Sequence, residues 1–197
     1  MELLASGLTF DLAGLAPAAA APAPTIAHRF GLAADDDLSR CEVVSLKPGP
    51  HVAGGAGLSP VVRTLAGLGA NLVLSLPVKA VCWGPAATAM EPAYFARMML
   101  NWLSGGAFPA LGLTALVAHP DGSIASNGLS HFTGQEIQVE SRSGETQADT
   151  AKVAIRVIDY LVRHGRLNEA HELDVPDERL IAEPSQIGSL IRVWRSG

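Results

Sequence analysis

Apolar positions recur along this chain with two periods, and each period predicts a kind of element. Val61, Leu65, Leu68, Leu72 and Leu76 recur at spacings of four, three, four and four, which is one face of a helix over 60–76. Ser59-Pro60 supplies the start, with Ser as N-cap and Pro at the first helical position, and Pro77 ends it. Gly67 and Gly69 lie inside, each costing about 1 kcal/mol relative to Ala, which predicts close packing against a sheet or a second helix. A second helix starts at Glu91-Pro92. Tyr94, Phe95, Met98, Met99, Trp102 and Leu103 give it one broad apolar face, and Ser104-Gly105-Gly106 ends it. A third begins at the capping box Thr146…Asp149 and carries Ala151, Ala154, Ile155, Ile158, Leu161 and Val162 as its stripe. Asp159 and Arg163 pair at i, i+4 on its outside, and Gly165 stops it.

The two-residue period marks strands. Leu8, Phe10 and Leu12 alternate against Thr9 and Asp11, predicting a half-buried strand over 2–12. Further strands are read at 41–46 and 79–83. The unbroken apolar run 111–118 reads as a central strand buried on both faces. His119-Pro120-Asp121-Gly122-Ser123 is a turn, because Pro sets φ and Gly accepts φ > 0, and 123–127 returns as an antiparallel partner. In 134–140, Ile137 and Val139 alternate against Glu136, Gln138 and Glu140, so one face is wet and Glu136 faces water. Residues 13–40 read as extended or loop-like, with the Ala/Pro run 16–24 and the solvated acidic turn Asp35-Asp36-Asp37. Residues 166–189 read as mostly loop, and Leu190–Trp194 as a final edge strand. The expectation is one α+β domain over 1–197. It holds a mixed β-sheet of about five to seven strands and three main helices, with βαβ crossovers through the helices that lie between strands.

Composition narrows the function classes. Hydrophobic residues make up 48% and charged residues 17%, below the roughly 25% charge of an average soluble domain. That excludes general disorder and a coiled coil. A net charge of −5 and a pI of about 5.6 give no footprint for nucleic acid. The charge is uneven, since residues 41–135 carry only Glu42, Lys47, Arg63, Lys79, Glu91, Arg97 and Asp121. A middle this poor in charge predicts a homo-oligomer, with a two-fold dimer as the commonest closed form. The small or neutral Gly67, Gly69, Ala70, Ala93, Ala96 and Asn101 on the outer faces of the first two helices would form the contact, unless 13–40 covers the same surface. The uncharged run Met98–Ala118 is interrupted by Gly105, Gly106 and Pro109 and is not one spanning helix. Glu2 and Asp11 break the signal-peptide pattern, and a cytoplasmic protein is expected. Cys41 and Cys82 lack metal spacing and read as buried free thiols.

Two places could carry chemistry. The loop 47–57, with Gly54-Gly55-Ala56-Gly57 before a helix start, could offer backbone N–H groups to an anion, with Lys47 and His51 as the only polar recruits. It lacks the Gly-Lys-Ser/Thr of a P-loop and the third glycine of a dinucleotide fingerprint, so no cofactor is expected. His51, Gly54, Gly55 and Ser59 are thus the ligand-binding candidates. Ser130-His131 invites a hydrolase reading, but Gly128-Leu129-Ser130-His131-Phe132 lacks the closing glycine of a nucleophile elbow. His119, Asp121, His131 and Glu136 could be imagined around a metal. The eight extended residues from 123 to 130 would hold the two histidines roughly 25 Å apart, so no metal is expected.

Three stretches carry a resemblance: Val81-Cys82-Trp83-Gly84-Pro85, Phe108-Pro109-Ala110-Leu111-Gly112-Leu113, and Ser126 through Ile137. In order and in their intervening helices they resemble the bacterial domain of unknown function number four-two-six-one, over roughly residues 60–165. Gly128, Leu129, Phe132 and Glu136 match its later block. Thr133 stands where that family usually has Gly, and Gln138 where a second Glu is common. The resemblance implies an α+β fold and no reaction. The leading functional expectation is a non-catalytic small-ligand-binding or protein-interaction module that self-associates. The rival is a small hydrolase or transferase using the region around His51, Ser130 and His131.

Overall fold

The computed structural model describes residues 1–33, 35–175 and 178–196. It has an α+β fold, and its contacts divide the chain, expected as one domain, into two compact units: Met1–Gly106 and Ala107–Gly197.

The first unit opens with a hairpin rather than the single strand the alternation predicts. β1 (Glu2–Ala5) and β2 (Leu8–Ala13) pair antiparallel. The reversal falls at Ser6-Gly7, both at positive φ, a backbone shape that suits the twist of a two-residue hairpin. β3 (His28–Phe30) follows the extended Ala/Pro segment, and β4 (Ser45–Pro48) pairs with β2 to complete a three-stranded sheet. Cys41 therefore lies in a turn before β4 and is exposed, not buried in a strand.

α1 (Ser59–Ser75) starts one residue earlier than predicted. Leu58 takes the extended N-cap conformation and Ser59 is already helical, with no side-chain cap bond. β5 (Val81–Trp83) and β6 (Thr88–Met90) join β3 in a second three-stranded sheet. Alternation along β5 turns Cys82 outward, so this thiol is exposed too. α2 (Pro92–Leu103) is capped by Glu91, whose carboxylate accepts from the N–H groups of Ala93 and Tyr94 at 2.9 and 2.5 Å.

Val61 and Leu65 of α1 pack on Phe10, with Leu3, Leu8 and Leu46 around them. Another side of α1 meets α2. Gly67 and Gly69 receive Leu103 and Phe95, each of which would lie 3.4 Å from an added Cβ. Ala70 and Ala96 are buried as well. Several of the small residues expected to meet another subunit are thus consumed by helix–helix packing within the unit. Arg63 stacks on the Trp102 ring and donates to the carbonyls of Trp102 and Leu103 at 3.3 and 3.0 Å, capping the C-terminus of α2.

The second unit begins with α3 (Ala110–Leu113), a single turn where the apolar run predicted strand. Only β7 (Ala115–Ala118) remains extended, and it is an edge strand, not a central one. The Pro-Asp-Gly turn joins it to β8 (Ile124–Asn127) as predicted. The short α4 (Ser130–Thr133) precedes β9 (Glu136–Val139). α5 (Gln147–His164) has the Thr146 cap, Gly165 at positive φ, and the Asp159–Arg163 pair at 2.8 Å. Segment 166–189 then carries two strands where loop was predicted, β10 (His171–Val175) and β11 (Glu178–Pro184), before β12 (Leu190–Arg195).

The sheet order is β10-β11-β12-β9-β8-β7. β12, expected at an edge, lies in the middle, parallel to β9 with Ile191 opposite Ile137 and Val193 opposite Val139. α1 and α2 each connect strands of different sheets, so the crossovers expected through them do not form. α5 packs across β7, β8, β9 and β10. Thr150, Val153, Ala154, Val157, Ile158 and Leu161 form its buried stripe, rotated from the expected one, which had Ala151, Ile155 and Val162. Ile124, Ile137, Val139, Leu173, Leu180, Ile191 and Val193 supply the sheet side.

Two polar clasps hold this unit. The buried Gln135 amide donates to the carbonyls of Leu167 and Gly188 at 2.8 and 2.9 Å and accepts from Leu167 N–H at 2.8 Å. Arg195 is buried between Glu145 and Glu178, and Thr150 donates to Glu145. Removing one partner of such a buried set costs about 3–5 kcal/mol, because it strands an uncompensated charge.

Ile158 is fully buried between α5 and the sheet. Ile158→Ala is expected to lower stability by about 2–5 kcal/mol in urea unfolding. A loss under about 0.5 kcal/mol, typical of surface sites, contradicts this packing.

Candidate functional site

Around the glycine-rich loop, three backbone N–H groups are engaged within the loop itself. Gly55, Ala56 and Leu58 donate their N–H groups to Val52, Ala53 and Gly55 carbonyls, closing the loop's own turns. His51, Gly54 and Ser59 are exposed on it, and Gly55 is half-buried beside Leu58. Ser59 is at the first helical position rather than the cap, so its hydroxyl does not organise the helix start.

His51 belongs to the first unit, and Ser130 and His131 to the second. Around the latter pair the structure corrects the expectation for Glu136. Regular pairing of β8 with β9 ends at Ala125 opposite Gln138, and the chain then curls over the start of β9. The half-buried Glu136 carboxylate accepts from Ser126 Oγ at 2.5 Å and from the N–H groups of Gly128, Leu129 and Ser130 at 2.9, 3.2 and 3.0 Å. Ser126 Oγ in turn accepts from Ile137 N–H at 2.9 Å. An ionised carboxylate accepting several N–H bonds is a strong local organiser. Here it fixes the entry to α4. Ser130 is exposed, and His131 stands edge-on to Phe132 with ring centres 5.1 Å apart. Among the described residues, no group of three or more His, Cys, Asp or Glu side chains could hold a metal ion.

The place where polar groups converge is one the sequence reading did not single out. Because α5 covers one face of the six-stranded sheet, alternation turns Gln138 of β9 and Arg192 of β12 to the other, and their parallel register makes them direct neighbours. The turn before β8 adds Asp121 and Ser123. Asp121 Oδ1 accepts from Ser123 N–H at 2.9 Å and Ser123 Oγ at 2.7 Å, and Gln138 Nε2 donates to Ser123 Oγ at 3.0 Å. The Ser123 hydroxyl, followed by its N–H, holds the Asp121 carboxyl below the usual carboxylate range. With Glu140 and Ser141, these residues line an open groove of about 330 Å³. The wet alternation of 134–140 and the polar turn were the available signals. What was missing was the neighbour Arg192, which only strand order supplies.

A second open groove, of about 350 Å³, runs beside Glu169, Glu183 and Ser185. Its Arg166 guanidinium is tied to the Gly188 carbonyl at 2.7 Å, which makes it part of the clasp around Gln135.

Compared with known proteins, the chain matches no family model, no curated protein sequence and no solved structure.

Glu136→Ala removes the acceptor for four donors, three of them in buried residues, and is expected to cost about 3 kcal/mol. Amide hydrogen exchange at Gly128, Leu129 and Ser130 should accelerate together. Unchanged exchange there would show that Glu136 does not hold this loop.

Proposed function

We propose that this protein is a non-catalytic binding module whose ligand surface is the open face of the six-stranded sheet. The groove at Asp121, Ser123, Gln138, Glu140, Ser141 and Arg192 carries this reading. It gathers both signs of charge and several hydrogen-bonding groups on regular strands and a tight turn, which is rigid support for a site. Its size is near the lower end of small-molecule sites, roughly 300–1,000 Å³. The rival hydrolase or transferase reading would use the region around His51, Ser130 and His131, where the adjacent Glu136 carboxylate already accepts from the N–H groups of Gly128, Leu129 and Ser130, and His51 belongs to the other unit. The same proposal keeps the kinship with the domain family named above, a cytoplasmic setting and no nucleic-acid partner, the last supported by the net charge of −5.

Self-association belongs to the proposal as well. With Ala96 buried, the outer face of α2 presents Ala93, Arg97, Leu100 and Asn101, and Leu100 is 43% exposed. A face with one charge and an exposed leucine is inexpensive to desolvate against a second copy. No helix among the described residues is long and apolar enough to cross a membrane.

Sedimentation equilibrium at micromolar concentration is expected to show a species of twice 20.4 kDa, shifted towards monomer by Leu100→Glu. A clean 20.4 kDa species would overturn the dimer. For the groove, the ¹H–¹⁵N spectrum should respond at Ser123, Gln138 and Ser141 to members of a screen of amino acids, short dicarboxylates and inorganic phosphate. Responses confined to 51–59 or to Ser130 and His131 would move the site to those loops.

A further inference from the structure

Among the described residues, Arg192 is the only cationic side chain lining the groove, and it shares the space with two carboxylates, Asp121 and Glu140. Its position is defined by two registers. Gln138 of β9 is opposite it on one side and Glu183 of β11 on the other. Despite these acids, no ion pair or hydrogen bond engages its guanidinium among the described residues. The guanidinium fork has the geometry to grip a carboxylate with two parallel N–H bonds. The acidic groups are organised differently. Both Ser123 donors go to Oδ1 of Asp121 and none to Oδ2, while Glu140 follows the end of β9.

We propose that this groove binds a small zwitterion, with an ammonium and a carboxylate on one short skeleton, of the size of a free α-amino acid. The inference rests on the reading of the groove as the ligand surface and adds the ligand's charge pattern. A simple anion would gain Arg192 but meet two carboxylates. A simple cation would gain the carboxylates but meet Arg192. A molecule carrying both charges satisfies each group and repels neither, and Ser141 and Gln138 add hydrogen-bonding groups to the lining. The polar lining favours a small hydrated ligand over an apolar one.

The test is a ¹H–¹⁵N titration of the full chain with L-alanine, propionate and ethylamine, which share a carbon skeleton and differ in charge. L-alanine is expected to shift Ser123, Ser141 and the Gln138 side-chain amide, with an affinity about tenfold or more above either singly charged compound. Arg192→Gln should reduce L-alanine to the level of ethylamine. Asp121→Asn and Glu140→Gln should each reduce it towards the level of propionate. All three side chains belong to exposed residues, and the dispersion of each variant's spectrum checks that it is folded. Propionate or ethylamine binding this groove as tightly as L-alanine overturns the zwitterion but leaves the groove as a ligand surface. So do variants that bind L-alanine unchanged while the groove resonances still shift. No response at the groove to any of the three overturns the zwitterion. No response to inorganic phosphate or dicarboxylates either overturns the groove itself.

Discussion

One constraint organises the second unit: a six-stranded sheet has two faces, and this unit supplies a single long helix, α5, to cover one of them. Every strand from β8 to β12 must therefore turn its apolar side chains the same way. The registers achieve this by placing Ile137 beside Ile191, Val139 beside Val193, and Leu173 beside Leu180. The parallel pairing of β9 with β12 is the key joint. It requires a crossover, and α5 provides it while burying Val153, Val157, Ile158 and Leu161 on the sheet. A one-residue slip in β12 would turn Ile191 and Val193 to solvent and bring Arg192 into the core.

The other face follows from the first. Once the apolar positions are committed to α5, the alternate positions must be compatible with water, and Gln138, Arg192 and Glu183 fall in one row across three strands. The groove is therefore a consequence of sheet register, completed by a turn whose Asp121–Ser123 bonds hold it in shape. The site borrows its rigidity from the core beneath it, since Gln138 of β9 is flanked by buried Ile137 and Val139.

Elsewhere buried or half-buried polar groups secure the chain where regular pairing stops. Glu136 holds the curl after β8, Gln135 ties the segment after α5 to the β11–β12 turn, and Arg195 closes the far end between two glutamates. Each is satisfied by several partners, which makes its burial tolerable. In the first unit Arg63 plays the comparable part, capping α2 from α1.

The sequence by itself determined the three long helices, the Thr146 cap, the Pro-Asp-Gly hairpin and the alternation of β9. These depend on neighbours within about one or two turns of chain, where propensity, capping and periodicity act directly. It did not determine which strands meet. Leu111–Ala118 read as a central strand because an apolar run is equally compatible with a buried helical turn, and the fold uses it as both α3 and an edge strand. Segment 166–189 read as loop because charged residues (Glu172, Asp174, Arg179, Glu183) interleave β10 and β11, which hides the short runs Leu173…Val175 and Leu180…Ala182. Glu136 read as solvated because alternation places a side chain on a face but cannot foresee a loop folding over that face. The small residues of α1 and α2 read as an outer surface because a helix pattern shows which residues are small, not which partner takes the space. The groove was illegible for the same reason: Arg192 and Gln138 are 54 positions apart in sequence, and only the parallel pairing of β12 with β9 makes them neighbours.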